Sequence, residues 1–360
     1  MNFDLSDEQR AIADAVRSVL EDRLGDAKIG AYLERVELDE ALWSEVCGLG
    51  VCGILVGEAS GGMQMDMVTM AVIAEVLGSY AAPLPIVPNA LAAWLIDRSG
   101  SPEQRDRWLA KLISGEAKAA FALGEAEDRW LPDTRTLRRG ESGGGSLTGW
   151  KRNVEWGAAA DLFIVGLSGD QLALVESNDT TVCHALDSVD RTRRLADVEF
   201  RESAAQSIEG GAETVSQLVD ALLVLLAADA CGAAATAMSR AVNYAKERKQ
   251  YGQLIGSFQA LKHQLADMAV EVEPSRPLCW YAAHAWDVYP EKRARVAALT
   301  KAHVTDGAVS VARAAVEAHG GIGYTWEYPL HIFLKRAVFD RTYLGGPRVH
   351  RERMARLANW

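Results

Sequence analysis

Two segments in the second half of the sequence join a fixed cation, aromatic rings and glycines closely enough to hold a phosphate-bearing ligand. Residues 244–259 read Tyr-Ala-Lys-Glu-Arg-Lys-Gln-Tyr-Gly-Gln-Leu-Ile-Gly-Ser-Phe-Gln, followed by Ala-Leu-Lys-His. Arg248 offers a planar fork suited to bidentate phosphate binding, and Gly252 and Gly256 permit close backbone approach. Tyr251, Phe258 and Gln259 add two rings and an amide. The competing reading pairs Arg248 with a nearby acid and sets Tyr251 and Phe258 in a core; spacing alone favours it. Residues 317–329 read Glu-Ala-His-Gly-Gly-Ile-Gly-Tyr-Thr-Trp-Glu-Tyr-Pro. Gly320, Gly321 and Gly323 free the backbone amides after Glu317 to face an anion or a ring edge. A helix C-terminus capped by glycine is the plainer alternative.

Other chemistries find little support. A di-metal carboxylate bundle needs Glu-x-x-His on facing helices, and none of the 7 His residues lies three after a Glu, so no metal is expected. Residues 140–144, Gly-Glu-Ser-Gly-Gly, satisfy Gly-x-Ser-x-Gly but lie in a glycine-rich loop without the strand-to-helix turn of a nucleophile elbow. Residues 48–53, Gly-Leu-Gly-Val-Cys-Gly, have dinucleotide-loop spacing but follow a helical stretch instead of a strand.

The elements that must position these residues change texture twice along the chain. From Ser6 to about Gly115 apolar residues recur at helical spacing, broken at 48–62, 83–88 and 100–102. Ser6 with Gln9 and Ser101 with Gln104 have capping-box spacing, and Pro102 suits a first helical position. From about Lys118 to Glu209, short apolar runs at 161–167, 171–175 and 181–186 read as strands, with another near 146–148. A run of strands after a run of helices implies a separate antiparallel β domain. From Thr214 the helical period returns, broken by Pro274, Pro277 and Pro290. The expected organisation is an α+β chain of three domains: an N-terminal helical domain over 1–117, a small antiparallel β domain over 118–210 and a C-terminal four-helix-bundle domain over 211–360.

Composition narrows the function further. The 360 residues carry 49 acids and 38 bases, a formal charge of −11, so the basic excess of a nucleic-acid or anionic-membrane binder is missing. Five scattered cysteines do not make a disulfide framework, and the acidic N-terminus has no signal-peptide core. The most apolar stretch, 221–237, contains Asp229 and is shorter than the ~20 residues of a membrane span. A cytoplasmic protein with reduced thiols and no membrane span is expected.

In this order and on this three-part plan, the two segments resemble the acyl-CoA dehydrogenase family. The opening Phe-Asp-Leu-Ser-Asp-Glu-Gln-Arg at 3–10, the run Arg-Trp-Leu-Ala-Lys-Leu-Ile-Ser-Gly-Glu at 107–116 and Leu-His-Ile-Phe-Leu-Lys-Arg-Ala at 330–337 resemble it too, the last pointing to a bacterial branch. The resemblance implies FAD bound between subunits, an acyl-CoA thioester of fatty-acid or steroid side-chain type as substrate, and electron-transfer flavoprotein as acceptor. It also implies that Arg248 and Tyr251 contact the FAD pyrophosphate, with Phe258 and Gln259 close by. Glu317, Gly320 and Gly321 would line the FAD of a neighbouring subunit. The segments 121–125 and 153–155, with Glu125 and Val154, would flank the isoalloxazine ring.

The chain departs from the family pattern where the α proton is removed. The usual base is a glutamate in a Tyr-Glu-Gly segment, and the corresponding residues are Tyr343, Leu344 and Gly345. The alternative base position falls on Leu222. Leucine accepts no proton. Asp229 lies seven residues beyond Leu222, on nearly the same helical face but ~10 Å along the axis. Burial would raise its pKa toward that of a general base, yet the offset is large, and pairing with an arginine or capping a buried interface is the reading preferred. Thr-Glu-Pro of the family becomes Gly124, Glu125 and Ala126, and Trp-Ile-Ser/Thr becomes Asn153, Val154 and Glu155. The branch includes α2β2 heterotetramers in which one chain lacks the base yet completes its partner's FAD site. This chain is therefore expected to be one subunit of a two-chain dehydrogenase, alternatively a structural or regulatory partner without turnover; a homo-oligomer is the other assembly.

Overall fold

The computed structural model describes residues 4–25, 28–30, 33, 37–127, 129–140, 145–326 and 328–358. Among them, helices α1 (Asp7–Leu24), α2 (Glu40–Cys47), α3 (Met67–Ser79), α4 (Ile86–Ser99) and α5 (Pro102–Ser114) come first. Seven strands follow: β1 (Ala119–Ala122), β2 (Leu147–Glu155), β3 (Leu162–Leu167), β4 (Gln171–Glu176), β5 (Thr181–Leu186), β6 (Leu195–Ser203) and β7 (Gln206–Ile208). Helix α6 (Gly211–Glu247), a hairpin of β8 (Lys249–Gln250) and β9 (Gln253–Leu254), and helices α7 (Gln259–Val288), α8 (Pro290–His319), α9 (His331–Thr342) and α10 (Pro347–Leu357) complete the chain. This is the expected α+β architecture, helical at both ends with small sheets between. Of the Gly-x-Ser-x-Gly match at 140–144, residues 141–144 lie outside the described residues.

The chain forms two compact units, one of residues 37–70 and 83–222 and the other of residues 1–36, 71–82 and 223–360. In the first, the Asp39 side chain caps α2 and the Ser101–Gln104 capping box opens α5 with Pro102 in its first turn. Asn89, fully buried, links helix to sheet: its amide donates to Leu112 O at 2.8 Å and its oxygen accepts Ala119 N at 2.8 Å. The strands form two sheets, β1-β3-β4-β7 and β2-β6-β5. All pairings in them are antiparallel except β1 with β3, a parallel pair that the sequence pattern did not reveal. Phe163 of β3 meets Phe200 of β6 edge-on at 6.1 Å, inside a shared core with Leu147, Val154, Val165 and Val198.

In the second unit, Ser6 and Gln9 close a capping box at the start of α1. Helix α6 is long and apolar enough to cross a membrane, but 94% of its apolar window is buried within the protein. It crosses α3 at backbone distance: a Cβ on Gly78 would lie 2.0 Å from Asp229 O, and one on Gly232 1.9 Å from Glu75 O, so only glycine fits at either site. Pro274 and Pro277 do not break α7, contrary to the sequence reading. Both prolines sit on its exposed face, as do Val270 and Glu273, whose carbonyls they leave without an amide donor, so water can take that role. Pro290 does end the run, opening α8 in its first turn.

Candidate functional site

The two motif segments meet at one end of the helical unit. Near the C-terminus of α6, Tyr244 stacks on His319, the last residue of α8, at 4.4 Å and 21°. His319 Nδ1 donates to Ala315 O at 2.7 Å and its Nε2 accepts the Tyr328 hydroxyl at 3.2 Å. Burial lowers its pKa, which keeps the ring neutral as this pattern requires. Beyond α6, β8 and β9 form a two-residue hairpin whose turn residues, Tyr251 and Gly252, both have positive φ, 52° and 79°. The hairpin returns onto α6: Ile255 N donates to Arg248 O at 2.8 Å, and a Cβ on Gly256 would lie 2.7 Å from Ala245 O.

This end presents side chains to solvent. Arg248 is exposed and forms no ion pair among the described residues, so the competing reading of an internal acid partner fails. Tyr251 is 93% exposed, not a core aromatic, and touches half-buried Phe258 edge-on at 6.3 Å. Gln259, the first residue of α7, is exposed. Glu317, Gly320 and Gly321 are exposed across the same end, and a Cβ on either glycine would meet nothing within 4 Å. Gly320 holds φ 66° and ψ −144°, a conformation for glycine. A cation beside open backbone suits an extended phosphate-bearing ligand.

The positions that the family resemblance assigns to the catalytic base hold no proton acceptor. Leu222 and Leu344 are buried at 6% and 2% exposure. Leu344 adopts φ 59° in the turn between α9 and α10, where two buried basic side chains engage the backbone. Lys301 Nζ donates to Arg341 O and Gly345 O, each at 3.3 Å, and His350 Nε2 donates to Leu344 O at 3.0 Å. Asp229, the candidate base, is corrected by its surroundings: Arg336 Nε donates to Oδ1 at 2.7 Å and Nη2 to Oδ2 at 2.6 Å, with both side chains at most 3% exposed. Arg336 Nη1 also donates to Ala82 O at 3.1 Å. A carboxylate gripped through both oxygens is a poor proton acceptor, and freeing it would bury an unpaired guanidinium. The arginine pairing preferred from sequence is what forms.

His350 and Lys301 carry a pH signature. Burial, with Lys301 and Arg353 nearby, lowers the His350 pKa to about 3, and burial brings Lys301 to about 7 against the pull of Asp340. The unfolded chain therefore binds the His350 proton more readily than the folded one between about pH 6.5 and 3, so stability falls as pH falls through that window. His350→Gln, which keeps a donor for Leu344 O without titrating, is expected to flatten the decline, measured as urea midpoint against pH. An unchanged slope would remove His350 as its source.

In the sheet unit, the expected cofactor residues turn inward. Val154 is fully buried, its side chain packed among core side chains. Glu125 is also corrected: its carboxylate accepts Thr136 N at 2.7 Å, Thr136 Oγ1 at 2.6 Å, Leu137 N at 3.1 Å and the fully buried Lys151 Nζ at 2.6 Å. Burial alone would raise its pKa, but these donors outweigh burial and bring it down to about 2. Glu155 is held by Arg193 Nη1 at 2.6 Å, both buried. With these groups spent on one another, the sheet unit does not fit a flavin ring, whereas the Arg248 end fits the phosphate side of a dinucleotide. Lys301, Arg193 and Trp130 escaped the sequence reading; for Lys301 the available signal was a lone lysine within the alanine-rich face of α8.

Known proteins share this architecture. The family model for the acyl-CoA dehydrogenase C-terminal domain matches residues 209–358, and that for the N-terminal domain matches residues 6–116. Acyl-CoA dehydrogenase IpdE2 of Mycobacterium tuberculosis is 28% identical over 95% of this chain and 94% of its own length. A chain of a Tcur3481–Tcur3483 steroid ACAD variant superposes with a TM-score of 0.90 at 27% identity, covering 98% of both chains. Glutaryl-CoA dehydrogenase from Mycobacterium smegmatis does so at 0.89 and 25% identity, covering 100% of this chain and 97% of its own.

Proposed function

The chain belongs to the acyl-CoA dehydrogenase family, oxidoreductases acting on CH–CH bonds, and we propose that it is the base-less subunit of a two-chain, FAD-dependent acyl-CoA dehydrogenase. The observation that carries this reading is the absence of a proton acceptor at Leu344 and Leu222 together with the capture of Asp229 by Arg336. Removal of an α proton needs a base within hydrogen-bond reach, and this chain supplies none at those positions. Its contribution is the exposed end of the helical unit: Arg248 clamps a phosphate by its planar fork, the backbone at Gly320 and Gly321, uncovered by side chains, approaches the same ligand, and Tyr251 shields it. Glu317 is a repulsive neighbour for that phosphate, so the ligand must rely on Arg248. A homologous chain supplies the base, the acyl-CoA site and the rest of the FAD site, and an electron-transfer flavoprotein accepts the electrons. The likeness to a steroid ACAD named for two gene products supports both the two-chain assembly and a steroid-derived acyl group.

Produced alone, this chain is expected to be colourless and to show no acyl-CoA dehydrogenation. Co-production with the homologous chain that co-purifies with it restores both the flavin spectrum and turnover. A yellow, active protein from this chain by itself would sink the reading, whereas a colourless and inactive pair would leave only a structural partner.

A further inference from the structure

We infer that the sheet unit of this chain is closed to a flavin ring by its own side chains, so that an assembly carries flavin only on the sheet unit of a partner of different sequence. The two strand ends that the family resemblance sets beside an isoalloxazine ring are 121–125 and 153–155. At the first, Gly124 has no side chain, and the direction a Cβ would take is already filled: Trp130 Cζ3 lies 2.5 Å from that point and Arg152 O 2.8 Å. Trp130 is 8% exposed, so its indole is packed against the backbone there and not swung to solvent. A tricyclic ring needs van der Waals clearance of about 3.5 Å from such backbone. On the side of Gly124 that a Cβ would take, the indole fills that space.

Buried charges hold the indole in place. Glu125 N donates to Arg129 O at 3.0 Å, which turns the chain back so that Trp130 covers Gly124. Arg135, 4% exposed, donates from Nη2 to Trp130 O at 3.2 Å and lies over β3 at Gly166, where a Cβ would sit 2.7 Å from its guanidinium carbon. The next two residues, Thr136 and Leu137, are tied to Glu125, and Glu125 to Lys151. The segment carrying Trp130 is thus fastened on both sides to groups that have left water. At the second strand end, the Glu155–Arg193 pair fills the place of the family's small hydroxyl residue with two buried charges. Admitting a ring there would separate them and leave each without its partner. Two independent side-chain devices, one aromatic and one ionic, close the same pair of strand ends.

The closure concerns this chain alone; the number of flavins in an assembly rests on the two-chain reading above. Equilibrium dialysis of the isolated chain against FAD is expected to leave no stoichiometric flavin on the protein, and the purified pair is expected to release one flavin per two chains. One flavin per isolated chain, or two per pair, would overturn the closure. Photolabelling the pair with an azidoflavin separates the sites directly: label is expected on partner peptides, and label within 121–130 or 153–156 of this chain overturns the inference. Flavin bound to the isolated chain without turnover defeats the closure only, whereas dehydrogenation by the isolated chain defeats the two-chain reading.

Discussion

Arg336→Ala is expected to destabilise the helical unit by about 3–5 kcal/mol, because it leaves the Asp229 carboxylate buried without its counter-charge. On a unit of this size that corresponds to a fall in melting temperature on the order of 10 °C. The loss extends beyond the ion pair, since Arg336 also donates to Ala82 O and Asp229 lies where α6 crosses α3 at Gly78. Removing both charges together, as in Asp229→Leu with Arg336→Met, is expected to recover most of the stability, since an apolar pair of similar volume avoids the desolvation penalty. Thermal and urea unfolding of the two variants side by side checks this. A loss below about 1 kcal/mol for Arg336→Ala would mean that the pair is not shielded from water as its burial indicates. The same pairing predicts that Asp229→Asn, which also destabilises the helical unit by leaving Arg336 without its counter-charge, leaves turnover per folded pair near its full rate, as expected of a structural carboxylate.

Arg248→Ala in the assembled pair is expected to weaken FAD binding roughly 10- to 100-fold, the worth of about 1.5–3 kcal/mol for a hydrogen bond to a charged group. The side chain is exposed and has no ion-pair partner among the described residues, so stability should not change and the effect can be read as ligand affinity. Arg248→Lys keeps the charge but not the fork and should fall between wild type and alanine. Glu317→Gln, which removes a carboxylate from the same end, should act in the opposite direction and tighten binding. Equilibrium dialysis of the two-chain complex against FAD measures all three. Unchanged affinity in Arg248→Ala would take the α6 hairpin out of the phosphate site, and with it the contribution assigned to this chain.

Much of this molecule was legible from neighbours in the chain. The capping boxes at Ser6 and Ser101, the break at Pro290, the strands expected at 161–167, 171–175 and 181–186 and the glycines at 252 and 256 all follow from rules that act over a few residues. The family-diagnostic order of α, β and α segments and the leucines at 222 and 344 are equally properties of the sequence alone. Those leucines already limit the chemistry, since no packing makes leucine a base.

Tertiary structure decided which charge meets which. Asp229 and Arg336 are 107 residues apart, and nothing local at either position says whether the carboxylate is free to accept a proton or held by two nitrogens. Helix α7 runs through Pro274 and Pro277 with both prolines, Val270 and Glu273 on its exposed face, a fact of burial and not of propensity. Trp130 reads in sequence as one more aromatic, yet the turn at Glu125 and the buried Arg135 lay it over Gly124. Local rules set by backbone sterics and hydrogen bonding can be read from the order of residues. The partner of a buried charge, and the side chain that fills the space left by a glycine, depend on elements distant in sequence and are set only when those elements pack.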